Sequence, residues 1–213
     1  MKTLIGVPCM DQVSALFAHS LATLNKVGEC SVGIMIGSLI YSARNDFAKA
    51  AIQNHYDALM FFDSDMTFPE DTLEKMVKHI EDGKDIVSGL YFKRRPPFSP
   101  VLYKKLGYNK DTDETYFEDL LWLPENREPF EVEGCGMGCC IISTKVLADV
   151  MLNCHTWFDP VHNFGEDLAF CCRARDLGYK IWCDPSISCG HVGQLTVTEE
   201  VWQNTLAERM NNA

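Results

Sequence analysis

The chain has 213 residues, of which 46% are hydrophobic and 23% charged, which is ordinary for one globular domain. Its formal charge of -11 and isoelectric point near 4.9 argue against a protein that grips nucleic acid or an anionic membrane through a broad basic surface. The N-terminal apolar run is too short for a signal peptide, and no segment approaches the roughly 20 apolar residues of a membrane span. We therefore expect a soluble, cytoplasmic protein.

Ten cysteines are spread along the chain, and no two of them form a CxxC pair. A structural zinc site is therefore not expected. Because no export signal precedes them, we predict reduced thiols, most of them serving as small core residues.

Strands and helices alternate through the first half of the chain. The predicted strands are Leu4–Val7, Val32–Ile36, Leu59–Phe62 and Ile86–Leu90. Apolar residues at helical spacing predict helices at Val13–Leu24, Ala43–Gln53 and Leu73–Ile80. This alternation predicts an α/β fold with a mostly parallel central sheet and helices on both faces, in which ligands bind beyond the carboxyl ends of the strands.

The third predicted strand ends in Asp63, Ser64 and Asp65. Side chains alternate along an extended chain, so the two carboxylates lie on the same side and repel each other unless a cation sits between them. A hard divalent metal suits such a pair, although aspartates also simply cap turns. Thr67 and Glu70 have the spacing of a capping box and predict a helix that begins at Thr67.

The segment 93–129 has no clean periodicity and is predicted to be a β-rich excursion or an irregular loop. Lys93, Arg94 and Arg95 form the only cluster of positive charge in the sequence. These cations could contact a phosphate or belong to a solvated loop, and the solvated loop is the favoured interpretation.

Gly134, Gly136 and Gly138 stand at alternate positions before an apolar strand. The spacing is not that of a dinucleotide-binding loop. Backbone without side chains permits close approach to a ligand, and a glycine-rich turn is the alternative.

Glu166 and Asp167 open a predicted helix late in the chain, and His191 follows in a loop. Acids at a helix start can act solely as partners of the helix dipole, and a lone histidine is usually structural. The tail Glu199–Asn211 is predicted to form an exposed helix.

Four segments together resemble the GT-A-fold glycosyltransferases of the large inverting family that includes many bacterial and phage sugar transferases. In chain order they are SARNDFAKAAI, ALMFFDSDMTFPEDTLEKM, VEGCGMGCCIIS and FGEDLAFCCRARDLGYKIWCDPSISCGH. The resemblance covers most of the chain. It implies one GT-A-like domain over 1–213, with a nucleotide-sugar half (1–92), an acceptor and catalytic half (93–198) and a tail helix (199–213).

The resemblance also implies roles for particular residues. The metal site implied is Asp63, Asp65 and His191. The catalytic base would come from Glu166 and Asp167, with Asp167 favoured. The residues implied to lie by the nucleotide or the donor sugar are Pro8, Cys9, Asp11, Arg44, Asn45, Asp63, Ser64, Gly134, Gly136 and Gly138.

The implied reaction is metal-dependent, inverting transfer of a sugar, of the hexosyltransferase type, from a nucleotide diphosphate sugar to an acceptor hydroxyl. A UDP-sugar is the favoured donor, and the acceptor, whether glycan, protein or small molecule, stays open. Histidine among oxygen ligands favours Mn²⁺ over Mg²⁺.

Two other classes fit parts of the sequence. DSDMT matches the motif of haloacid-dehalogenase-type phosphatases, in which Asp63 would be the nucleophile and Asp65 the acid, but that motif normally ends the first strand. A non-catalytic domain that only binds a nucleotide sugar is the second alternative.

Overall fold

A computed structural model of the protein describes residues 1–109, 112, 114–161 and 163–193. Within these residues the chain forms five helices and twelve strands. The strands are β1 Lys2–Cys9, β2 Glu29–Ile36, β3 Ala58–Phe62, β4 Met66–Thr67, β5 Ile86–Leu90, β6 Leu102–Tyr108, β7 Thr115–Asp119, β8 Phe130–Val132, β9 Gly134–Cys135, β10 Cys139–Ser143, β11 Ile181–Ser188 and β12 Gly190–His191. The helices are α1 Ala15–Thr23, α2 Ile40–Gln53, α3 Thr72–Glu81, α4 Thr144–Cys154 and α5 Glu166–Asp176.

The central sheet has seven strands in the order β2-β1-β3-β10-β5-β11-β8. Strand β10 is antiparallel to both of its neighbours, β3 and β5, and the edge strand β8 is antiparallel to β11. The other neighbouring strands are parallel. The prediction of a mostly parallel sheet is therefore confirmed. The carboxyl ends of β1, β3 and β5 lie at one edge of this sheet.

The middle of the sheet is covered on both faces. All five residues of β3 are buried, and their side chains alternate between two hydrophobic clusters. Leu59 and Phe61 pack with apolar residues of α2, α4 and α5, whereas Met60 and Phe62 pack with those of α1 and α3. A strand that is apolar at every position is what burial between two helical layers requires.

The predicted helix start at Thr67 is wrong. Met66 and Thr67 form β4, which pairs antiparallel with β12, and α3 begins only at Thr72. The backbone groups of β4 bond to another strand, so they are not available to a first helical turn. Gly190 opposes Thr67, whose hydroxyl occupies the place that a Cβ at position 190 would need. The pairing ties the acidic turn after β3 to the strand that carries His191.

The predicted β-rich excursion is confirmed. Strands β6 and β7 form a hairpin, and β6 also pairs with β9 in a three-stranded sheet. The predicted tail helix falls outside the described residues. No helix among the described residues is long and apolar enough to cross a membrane. All ten cysteines are free thiols, and eight of them are buried.

Candidate active site

A cavity of about 670 Å³ opens at the carboxyl ends of β1, β3 and β5. This is where an α/β sheet of this kind receives ligands. The residues that line it are Pro8, Cys9, Met10, Ser38, Ile40, Asp63, Ser64, Asp65, Tyr91, Lys93, Arg94, Arg95, Pro96, Val101, Asp167 and His191. Seven of the residues for which the resemblance implied a role therefore meet at one site.

Asp65 and His191 face each other across the β4–β12 pairing. The Nε2 atom of His191 lies 3.6 Å from Oδ2 of Asp65, and its Nδ1 atom lies 2.9 Å from the carbonyl oxygen of Phe92. Contact with Asp65 raises the pKa of His191 against the opposing effect of burial. Burial raises the pKa of Asp65, but His191 and Arg94 outweigh it and hold that pKa below its usual value.

The Asp65–His191 pair fits a metal ion. Nδ1 must carry a proton to donate to the Phe92 carbonyl, so Nε2 of the neutral ring turns a lone pair towards the carboxylate. Two electron donors that face each other are stabilised by a cation between them. Asp63, however, is paired elsewhere, and the described residues contain no group of three or more histidines, cysteines or acids placed to hold a metal. Of the three residues predicted to hold a metal, Asp65 and His191 therefore face each other, and Asp63 is paired with Arg44.

Arg44 lies beneath this site and not in it. Its side chain is 2% exposed, with Nη2 2.8 Å from Oδ1 of Asp63 and Nε 3.5 Å from Oε1 of Glu166. Its guanidinium carbon lies 5.0 Å from the centre of the Phe61 ring. Arg44 thus joins the acidic turn after β3 to the first residue of α5. It does not line the cavity where a nucleotide would lie, contrary to the expectation from the sequence.

Asn45 and Asp11 also stay outside the cavity. The amide nitrogen of Asn45 donates to Asp159 at 2.7 Å, and its oxygen accepts from the backbone N–H of Phe158 at 2.9 Å. Asn45 therefore fixes the loop after α4. Asp11 is exposed.

Asp167 is the carboxylate of the late acid pair that reaches the cavity. Burial and then the neighbouring charge of Glu166 raise its pKa to about 6. Its Oδ1 atom accepts the backbone N–H of Leu168 at 2.8 Å, which fixes the side chain at the start of α5. Glu166 instead turns to Arg44 and does not line the cavity. Asp167 therefore faces the cavity, whereas Glu166 faces Arg44.

The alternating glycines make room for Tyr91. A Cβ at Gly136 would collide with the Tyr91 hydroxyl, and one at Gly138 would lie 3.1 Å from Cζ of the same ring. The N–H of Gly138 donates to that hydroxyl at 3.1 Å. A Cβ at Gly134 would lie 2.6 Å from Cδ2 of Leu106. The glycines are buried and do not line the cavity themselves, whereas Tyr91, which packs on two of them, does; the sequence analysis did not single out this tyrosine.

Lys93, Arg94 and Arg95, called here the basic loop, all line the cavity, and Arg94 and Arg95 are exposed to solvent as predicted for a solvated loop. The loop folds back because the N–H of Lys93 donates to the carbonyl of Ser99 at 2.9 Å. Nζ of Lys93 lies 2.6 Å from Asp119, and Nη1 of Arg94 lies 2.8 Å from Oδ2 of Asp65. The available signal was three consecutive cations close after a buried strand in an otherwise acidic chain.

The fold, with acids at the carboxyl ends of a mostly parallel sheet, is that of the GT-A class. A197 from STIV is similar with a TM-score of 0.66 and 20% identity, over 91% of this chain and 87% of that one. GalNAc-T7, solved with UDP, GalNAc and Mn²⁺, is similar with a TM-score of 0.63 and 13% identity, over 92% of this chain and 44% of that one.

The model of glycosyl transferase family 2 matches residues 39–149, just over half of the chain. The chain belongs to this family, which rules out the phosphatase reading of DSDMT. A comparison with curated proteins gives no match.

Proposed function

We propose that the protein is a metal-dependent, inverting glycosyltransferase that moves a hexosyl group from a nucleotide diphosphate sugar, with UDP favoured, to an acceptor hydroxyl. The observation that carries the proposal is the convergence of Asp65, His191 and Asp167 on one cavity. The presence of UDP and Mn²⁺ in the similar GalNAc-T7 structure supports the choice of donor and metal.

The donor would occupy the part of the cavity lined by the end of β1 and the turn after β3. Pro8 and Cys9 there suit contacts with the nucleotide, and Asp63 and Ser64 suit the ribose or the sugar. Arg44 would act from below, because its contact with Asp63 sets the direction of that carboxylate. Tyr91, held by Gly138, would form the wall beside the donor sugar.

Asp65 and His191 would hold the metal. Mn²⁺, favoured over Mg²⁺ because of the histidine ligand, would neutralise the charge that grows on the departing diphosphate. His191 must be neutral to coordinate, so metal binding should weaken at acid pH. The hydrogen bond from Nδ1 to Phe92 orients the ring for this role.

Asp167 would remove the proton from the acceptor hydroxyl. With a pKa of about 6 it is mostly ionised at neutral pH, yet it is a stronger base than an ordinary aspartate. Attack by the acceptor from the side opposite the leaving diphosphate inverts the anomeric centre. The acceptor itself is proposed only as a molecule with a free hydroxyl, whether glycan, protein or small molecule.

Two isosteric variants separate these roles. Asp65→Asn should weaken Mn²⁺-dependent UDP binding, because it removes the negative charge of a proposed metal ligand. This effect falls on the binding step, which precedes the chemical step. Asp167→Asn should leave UDP binding intact and lower turnover by roughly 10² to 10⁴. Calorimetry with UDP, in Mn²⁺ and in EDTA, together with turnover rates, measures both effects.

Equal UDP affinity in Mn²⁺ and in EDTA would remove the metal from the donor site. Near-normal turnover by Asp167→Asn would refute the assignment of the base.

A further inference from the structure

The basic loop brings concentrated positive charge to the cavity. Only 19 lysines and arginines occur in the chain, against 30 acidic residues. Three of these cations are consecutive, and all three line the same cavity as Asp63, Asp65 and Asp167. A cluster of cations in such a place raises the local concentration of an anionic ligand. Nothing in the proposed roles of the acids and His191 uses this charge.

The members of the basic loop differ in how firmly they are held. Nζ of Lys93 lies 2.6 Å from Asp119 and 5.7 Å from the centre of the Tyr103 ring, so this cation is fixed by two neighbours. Arg94 is 49% exposed; its ion pair is with Asp65, which is itself 31% exposed, and its other contact is a 3.4 Å hydrogen bond to the carbonyl of Val192. Because exposed ion pairs are weak, Arg94 can leave Asp65 at little cost.

Arg94 and a metal ion compete for the same atom. Nη1 of Arg94 lies 2.8 Å from Oδ2 of Asp65, and Nε2 of His191 lies 3.6 Å from that same oxygen. A divalent ion bound to Asp65 and His191 would stand a few ångströms from the guanidinium, and like charges so close repel strongly. Arg94 must therefore move when a metal binds.

We propose that the basic loop binds the diphosphate of the donor, and that Arg94 passes from Asp65 to a phosphate oxygen when the metal and the donor enter together. The planar guanidinium matches a phosphate through two parallel hydrogen bonds. The metal takes the carboxylate that Arg94 releases, and the diphosphate arriving with the metal takes the guanidinium. In the absence of both ligands, Arg94 compensates the charge of Asp65. The identity of the ligand as a diphosphate rests on the proposed function.

Calorimetry on Arg94→Met and Arg94→Lys tests this exchange in two titrations. In the first, MnCl₂ is added to protein without nucleotide, and Arg94→Met should bind it about fivefold more tightly because the competing cation is gone. In the second, inorganic pyrophosphate is added in saturating MnCl₂, because the exchange needs the metal and the diphosphate together, and Arg94→Met should bind it at least about tenfold more weakly. Arg94→Lys keeps the positive charge but loses the planar guanidinium with its two parallel donors. Its affinities for Mn²⁺ and for pyrophosphate should lie between those of wild type and Arg94→Met.

Lys78→Met is the matched control. Lys78 is 73% exposed on α3, pairs with Asp82 and does not line the cavity, so its loss should change neither titration. Thermal melts show whether each variant is folded. Three results would each overturn the exchange: no binding of pyrophosphate to wild-type protein in MnCl₂, unchanged pyrophosphate affinity in Arg94→Met, or an Mn²⁺ affinity that fails to rise in that variant.

These titrations involve no sugar, acceptor or turnover. If they give the expected results but no nucleotide sugar is turned over, the proposed function fails and anion binding by the basic loop stands. If sugar is transferred but Arg94→Met binds pyrophosphate normally, the exchange fails and the proposed function stands.

Discussion

Replacing Asp167 by asparagine should stabilise the protein at neutral pH while it removes catalysis. The pKa of Asp167 is raised from 3.8 to about 6, chiefly by burial. A carboxyl whose pKa is higher in the folded than in the unfolded chain destabilises the fold once the pH exceeds the unfolded value. Asparagine has the same shape, can still accept the Leu168 N–H, and carries no charge to bury.

The pKa difference sets the size of the effect. It corresponds to about 3 kcal/mol at pH 7.5, which falls to about 1 kcal/mol at pH 4.5 and vanishes below the unfolded pKa. For a domain of this size, 3 kcal/mol raises Tm by about 6–12 °C. Besides burial, the groups that set this value are Glu166, the Leu168 N–H, Arg44 and Asp63.

Urea unfolding of both proteins at pH 7.5 and pH 4.5, in EDTA, measures the difference in the free energy of unfolding. Asp167→Asn should be the more stable protein at pH 7.5, and its advantage should shrink on acidification. An asparagine variant that is no more stable at pH 7.5, or whose advantage is the same at both pH values, would refute the claim that Asp167 is a destabilised base.

Other variants test the contacts beneath the cavity and the charge around the base. Arg44→Met should destabilise the protein by about 3–5 kcal/mol in urea unfolding, because it leaves Asp63 and Glu166 without their buried cation; Arg44→Lys should lose less, and equal stability of Arg44→Met and wild type would contradict the role given to Arg44. Glu166→Gln should move the acid limb of the pH profile of kcat/KM to lower pH, because the charge of Glu166 raises the pKa of Asp167. An acid limb that stays in place or moves to higher pH would show that Asp167 does not control it.

The elements of the fold could be predicted because their signals are local. Helical spacing of apolar residues located α2 and α3, and the apolar run before Asp63 located β3, to within a few residues. The start at Thr67 failed because the antiparallel partner of β4 comes more than a hundred residues later, at β12. A capping-box pattern carries no information about such a distant partner.

The site could be predicted in part for the same reason. The acids and His191 belong to motifs that keep their order along the chain, and the structure places Asp65, Asp167 and His191 around one cavity. Which way Arg44 points depends on the packing of α2 against β3 and α5, which the sequence does not state. The position of the basic loop at the cavity could not be predicted, because its contacts, to Asp65 and Asp119, are made only after the chain folds back.

The most direct test of the central claim is a coupled measurement of nucleoside diphosphate release from a panel of nucleotide sugars, with Mn²⁺ and with EDTA, on wild type and Asp167→Asn. We predict that wild type releases the diphosphate from at least one donor in Mn²⁺, that EDTA abolishes release, and that Asp167→Asn is slower by roughly 10² or more. Equal rates of release in Mn²⁺ and in EDTA would contradict a metal site at Asp65 and His191. Equal rates for wild type and Asp167→Asn would contradict the role of Asp167 as the base. No release from any donor would instead support a domain that only binds nucleotide sugars.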